Sequence, residues 1–188
     1  MLLADEKPGH INTLVTGRSI DLLNPRAEDI FIEDIAASLS KLNRFTGYTS
    51  RVYTVGEHCL LGLDYLPAGE RFEYLLHDAS EAYLGDVSGP QKALPDMEGY
   101  RHREAMWTLT IVERFGLKKK TPALVKVTDQ RMLVTEMRDL RGRRPLWGDK
   151  VKPFPMHIPP AAPSCEMVER MFLEAFAHLA SQTEGARR

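Results

Sequence analysis

Four side chains in this sequence have the types and setting to hold one divalent metal ion: His58, His77, Asp78 and Asp129. Imidazole nitrogens and carboxylate oxygens are ordinary ligands for Mn, Fe, Co, Ni and Zn, and ligand type alone does not choose among these metals. His77 and Asp78 are adjacent in Leu75-Leu76-His77-Asp78-Ala79-Ser80-Glu81-Ala82-Tyr83-Leu84-Gly85-Asp86, where Leu75, Leu76, Ala79 and Ala82 make the surroundings apolar. An ionised carboxylate in such surroundings is costly unless a partner compensates it. Asp129 raises the same problem, because Val125, Asp129, Met132, Leu133 and Glu136 share one face at helical spacing. A single cation would satisfy all four groups and still leave coordination positions open for water and substrate. Glu81 follows His77 by four residues and Asp78 by three, which puts it on the same surface of a continuous helix.

Each group also has an ordinary reading. A buried histidine is more often a hydrogen-bonded core residue than a ligand. A His-Asp pair in a helix is commonly a solvated surface, and Asp129 could cap a helix or pair with Arg44 or Lys126. A helical interaction protein whose polar core groups pair only among themselves is therefore a separate reading of the same residues.

The elements that must position these groups are helical by pattern. Alternation around Gly17 predicts a short hairpin over Asn12 to Pro25, turning near Thr16-Gly17. Ile30, Ile32, Ile35, Ala36, Leu39 and Leu42 mark a first helix, and Asn43 to Tyr53 is a polar loop. Thr54, followed three residues later by Glu57, opens a second helix in a capping-box pattern; it runs to Leu66, before Pro67. A third helix is expected from Glu70 to Leu84, stopped by Gly85, with Asp86 to Asp96 as loop. A fourth spans Met97 to Phe115 and closes at Gly116, and a fifth opens with Pro122 at its first position and reaches about Leu140. Pro145 to Pro163 is too rich in proline for a helix interior. A terminal amphipathic helix follows from Ser164 through Leu179, with a frayed tail from Ser181. The expected fold is all-α: a compact bundle of about six helices with a short N-terminal β-hairpin. It forms a single domain over 1–188, with a core of about 21–140 and the crossing segment and terminal helix over 141–182.

Composition narrows the partners. The 188 residues are 43% hydrophobic and 27% charged, an ordinary globular balance. Lys and Arg number 25 against 26 Asp and Glu, so no net positive field draws the chain to nucleic acid or to a membrane surface. A small-molecule substrate fits this balance better than a polymer. Cys59 and Cys165 lie far apart with no CxxC partner, which excludes a zinc ribbon and suggests a reducing compartment. The first ten residues carry Asp5, Glu6 and Pro8 where a signal peptide needs its apolar run, and no segment approaches a membrane span. A soluble, cytoplasmic protein is expected.

The order His58, His77-Asp78, Asp129 on successive helices resembles the HD-domain metal-dependent phosphohydrolases. Arg44-Phe45, Tyr53-Thr-Val-Gly-Glu-His58, His77-Asp-Ala-Ser-Glu-Ala-Tyr-Leu-Gly-Asp86 and Pro90-Gln-Lys92 are similar to the compact 5′-deoxynucleotidase branch and to the small phage dATP triphosphohydrolases. The resemblance covers about Asp21 to Leu140. It implies one divalent transition metal on His58, His77, Asp78 and Asp129 and a small nucleotide substrate. It also implies Glu81 and Asp86 as the catalytic pair, one handling the attacking water and the other donating or orienting a proton, in either assignment. Arg44 and Lys92 become phosphate clamps; Phe45 either walls the sugar and base or staples into the core. Small enzymes of this kind are often homodimers. Alarmone hydrolases resemble HDxxED, whereas Ala82 follows Glu81 here; the cyclic-dinucleotide signature GYP is missing, since Arg101 follows Gly99-Tyr100. Phe45 stands where deoxynucleotidases usually have Trp, which opens the sugar preference.

The expected activity is thus phosphate release from (deoxy)nucleoside 5′-monophosphates. Release of triphosphate from a dNTP is the alternative, for which Arg51 or Arg101 could add cations, and a nucleotide-binding module without turnover is another.

Overall fold

The computed structural model describes residues 9–13, 15–143 and 150–186; the acidic opening residues, Pro145 and Trp147 lie outside the described residues. Among the described residues the chain is all-α, with eight helices and one two-stranded hairpin. Strands β1 (His10–Asn12) and β2 (Ser19–Asp21) pair antiparallel, with Ile11 opposite Ile20. The turn is tied to α1 (Ile32–Leu39) by Asp34, which accepts from the Val15 and Thr16 amides and from the Thr16 hydroxyl.

Helix α2 (Val55–Leu61) begins as its sequence predicts: the Thr54 hydroxyl accepts from the Glu57 amide at 3.2 Å. The reciprocal half of the capping box is absent. The Glu57 carboxylate instead receives both Nη atoms of Arg51, at 2.9 and 2.7 Å.

The expected continuous helix from Glu70 to Leu84 is corrected. Helix α3 (Ala68–Leu75) ends at Leu76, residues 77–80 pass through tight turns, and a one-turn helix α4 (Glu81–Leu84) follows. A continuing helix would give the Tyr74 carbonyl to the Asp78 amide. Here the His77 amide and ring Nδ1 take it, at 3.3 and 2.6 Å, so a local side-chain bond displaces the helical one. The stretch 86–96 is likewise not all loop: α5 (Gly89–Lys92) lies within it, with Pro90 in its first turn where proline is tolerated.

Helices α6 (Glu98–Phe115) and α7 (Ala123–Arg141) both stop at glycines in the left-handed region, Gly116 (φ 65°) and Gly142 (φ 59°). Helix α8 (Cys165–Ala186) continues past Leu179 instead of fraying, because Leu179 and Ala180 still lie against the core. That helix is not peripheral. Phe172 and Leu179 are buried with Ile35, Leu39, Phe72, Leu75, Trp107 and Ile111, and α8 lies against α1, α2 and α3. Residues 150–163 form a strap over the outer side of α7. Phe154 stacks on Tyr65 at 3.7 Å, and Arg138 donates to the Phe154 and Met156 carbonyls. No helix among the described residues is long and apolar enough to cross a membrane.

Candidate metal centre and its cavity

Three elements bring the four expected ligands together. His58 comes from α2, His77 and Asp78 from the break after α3, and Asp129 from α7. The two Nε2 atoms are 3.3 Å apart. Asp129 Oδ1 lies 3.3 Å from His58 Nε2 and 3.7 Å from His77 Nε2, and Asp78 Oδ2 lies 3.6 and 3.2 Å from the same atoms. The break in the helix serves this convergence, since the Tyr74 carbonyl holds the His77 ring by Nδ1 and leaves Nε2 facing the cluster.

The donor set fits a divalent transition metal. Both imidazoles spend Nδ1 on an acceptor, which leaves the Nε2 lone pairs for an ion, and the carboxylates supply the negative charge. Without an ion the cluster is strongly coupled. Burial opposes the charged form of Asp129, yet hydrogen bonds from His58 and His77 outweigh it and hold Asp129 well below the usual carboxylate range. Burial also opposes the charged form of His77, but Asp78 and Asp129 raise it well above its ordinary value. Among the described residues, the ligand atoms that all lie within 4.8 Å of one another fall in two groups that share His77. One is His58, His77 and Asp129, and the other is Cys59, His77 and Asp78. Asp78 therefore joins through the imidazoles and beside a thiol that the sequence reading did not anticipate. Burial pushes the Cys59 thiol up to about 11.

Sequence reasoning missed the role of Glu136. It is fully buried behind His58, and its carboxylate accepts from His58 Nδ1 at 2.5 Å, the Tyr53 hydroxyl at 2.9 Å and Arg44 Nη2 at 3.1 Å. Burial opposes its charge, but Arg44 and His58 bring it down to about 2. The only available signal was its place on the apolar face that carries Asp129.

A cavity of about 740 Å³ opens above the cluster, lined by Asp78 and Asp129 together with Arg44, Phe45, Glu81, Asp86 and Lys92. All five sequence-derived candidates outside the ligand set therefore meet at one wall or another of this space. Glu81 is pushed up to about 9, first by burial and then by Asp78 and Asp86, and its Oε2 is buried with no hydrogen-bond partner. Burial raises Asp86 as well, against the pull of Arg44. Lys92 bonds Glu104 and stands 3.9 Å from Glu81. Arg44 remains charged although burial opposes it, because Glu136 and Asp78 lie beside it.

Phe45 lines the cavity rather than stapling into the core. It and Thr46 both have φ 55°, a left-handed pair without glycine, and the Arg44 and Arg141 guanidinium carbons stand 5.5 and 5.3 Å from its ring. Strain of this kind persists where surrounding structure over-determines it, and it concentrates at ligand-binding sites. Of the two spare cations, Arg51 is held by Glu57. Arg101 donates to the Lys92 and Leu94 carbonyls and borders the neighbouring cleft.

Comparison with known proteins finds relatives of the chain but no matching family model. It is 43% identical over 114 residues to the Escherichia coli (strain K12) protein designated uncharacterized protein YfdR, an alignment covering 60% of this chain and 62% of that protein. It is also 39% identical over 122 residues to an uncharacterized protein of Rhodobacter capsulatus, again over 60% of this chain and 62% of the relative. The chain thus spans less than two-thirds of the length of either relative.

Proposed function

We propose that this chain is an HD-type metal-dependent phosphohydrolase acting on nucleoside 5′-phosphates, most simply a 5′-(deoxy)nucleotidase. The observation that carries the proposal is the approach of Asp78 and Asp129 to within 3.2–3.7 Å of the Nε2 atoms of His58 and His77, beside a cavity that Asp78, Asp129, Arg44 and Lys92 line. His58, His77, Asp78 and Asp129 would hold the ion, which when bound supplies Lewis acidity and neutralises phosphoryl charge.

The remaining work falls to the chain's own residues. Arg44, whose Nη atoms are shared with Glu136 and Asp78, offers a fixed guanidinium charge for phosphate oxygens, and Lys92 adds a point charge in the same cavity. A nucleoside 5′-alkoxide leaves poorly unless it is protonated. The pair of Glu81 and Asp86 is suited to that task, because burial raises both carboxyls and Asp86 raises Glu81 further, which favours Glu81 holding a proton while Asp86 acts as acceptor. Phe45, Leu133 and Met137 give the far wall an apolar surface for sugar and base. A monophosphate is the simplest substrate for Arg44 and Lys92, while Arg141, which also lines the cavity, is placed to meet the further charge of a triphosphate.

The test is phosphate and nucleoside release from a panel of deoxy- and ribonucleoside mono- and triphosphates with Mn²⁺ or Co²⁺. Phosphate release from monophosphates, abolished in Asp78→Ala, is the expected result. No turnover above that variant overturns the proposal.

A further inference from the structure

Glu136 lies beneath the cavity rather than in its wall, so its charge is spent on neighbours instead of on a substrate. Those neighbours come from three different places in the chain. Oε1 accepts from the ring of His58 and from the Tyr53 hydroxyl, and Oε2 accepts from Arg44, whose other Nη atom reaches Asp78 at 3.4 Å. A fully buried carboxylate is costly, and here three donors are gathered around it. A carboxylate on Nδ1 of a histidine fixes the tautomer, stops ring rotation and makes Nε2 a stronger donor to a cation. A carboxylate on one Nη of a guanidinium fixes the plane of the group, and here it holds Arg44 at the cavity wall beside Asp78.

We infer that Glu136 is a positioning residue that sets both the metal affinity of His58 and the pose of Arg44. Cation binding and phosphate binding then depend on one buried carboxylate that touches neither ligand. The inference rests on the metal reading above and goes beyond it, since that reading requires only the four ligands. It differs from a purely structural role for Glu136, which would change stability without changing the imidazole's proton placement or the cation's affinity.

The experiment is Mn²⁺ titration of the full chain, wild type against Glu136→Gln, followed by electron paramagnetic resonance of free Mn²⁺. The nitrogen-15 spectrum of His58 in the Zn²⁺-loaded proteins is recorded alongside. Folding is checked by circular dichroism. The expected result is a dissociation constant about 10- to 100-fold larger in Glu136→Gln. His58 should show a protonated Nδ1 in wild type and mixed proton placement in the variant, and Glu136→Asp should recover part of the affinity. KM for a nucleoside monophosphate should rise together with the metal constant. Wild-type Mn²⁺ affinity in a folded Glu136→Gln overturns the inference and leaves the proposed function standing. Absence of Mn²⁺ binding in the wild type overturns the metal reading itself. If Glu136→Gln does not fold, Tyr53→Phe removes one donor that orients the carboxylate, and a severalfold weaker Mn²⁺ affinity is expected; an unchanged affinity overturns the inference.

Discussion

Tyr74 lies directly over Gly62: a Cβ built on that glycine would fall 2.2 Å from the phenol ring. The same tyrosine stacks on the His77 ring at 4.6 Å, and its carbonyl holds His77 Nδ1. Gly62→Ala must therefore push Tyr74 and carry His77 with it. A loss of about 1–3 kcal/mol in urea unfolding is expected, the usual cost of overpacking, with weaker Mn²⁺ binding than in wild type. Unchanged stability and metal affinity would show that Tyr74 has another place to go.

Arg44 sits between two carboxylates, Glu136 and Asp78. Arg44→Ala leaves the buried charge of Glu136 without its cation, so a loss of about 3–5 kcal/mol is expected. Arg44→Lys keeps the charge without the fork; it should recover most of the stability while KM for a monophosphate stays raised. Equal KM in Arg44→Lys and wild type would remove Arg44 from the phosphate-binding role.

Asp139 anchors the strap. It accepts from Arg138 and from the Ile158 amide at 2.9 Å, and these bonds, led by Arg138, bring it down to about 2. A depressed carboxyl stabilises the fold above its unfolded value near pH 4 and loses that contribution as pH falls towards 2. Asp139→Asn should therefore cost at most about 2 kcal/mol at pH 7. Its stability curve should converge with that of wild type in acid. Parallel curves down to pH 2 would contradict this.

The two cysteines should differ in reactivity. Cys59 is fully buried, with its thiol pushed up to about 11, whereas Cys165 at the start of α8 is half-buried. A disulfide reagent should titrate one thiol rapidly in the native chain, and Cys165→Ser should abolish that phase. Rapid modification of Cys59 would mean that the ligand cluster opens readily.

Thr46 holds φ 55° with a β-branched side chain. Thr46→Gly relieves that conformation at the cost of greater backbone freedom in the unfolded chain, so a gain of up to about 1 kcal/mol is expected. If the turn presets Phe45 for substrate, the same variant should raise KM. Higher stability with unchanged KM would make the strain incidental to binding.

The helical class and the convergence of His58, His77, Asp78 and Asp129 were legible, the first from periodicity and the second from polar groups set in apolar surroundings. Helical periodicity marks the segments, and His77, Asp78 and Asp129 stand out as polar groups in apolar surroundings. What escaped the sequence depends on competition between partners far apart along the chain or between side chain and backbone. The break after Leu75 arises because the His77 ring takes a carbonyl that periodicity assigns to the helix. Glu57 faced two partners, its own helix start and Arg51, and only the fold brings Arg51 close enough to win. Glu136 looked like one more residue on the Asp129 face until Tyr53, His58 and Arg44 were gathered around it. The left-handed pair Phe45 and Thr46 is not announced by its own residue types, since the glycine of that turn, Gly47, comes after both.

The place of α8 has a consequence for synthesis. A nascent chain that has reached Pro163 already contains every candidate ligand and cavity residue, but Phe172 and Leu179, which complete the core behind α1, α2 and α3, are still to be made. The candidate site residues are thus translated before the helix that completes their scaffold. During elongation the ribosome carries a polypeptide with all the donors for a cation and no finished scaffold to fix their spacing.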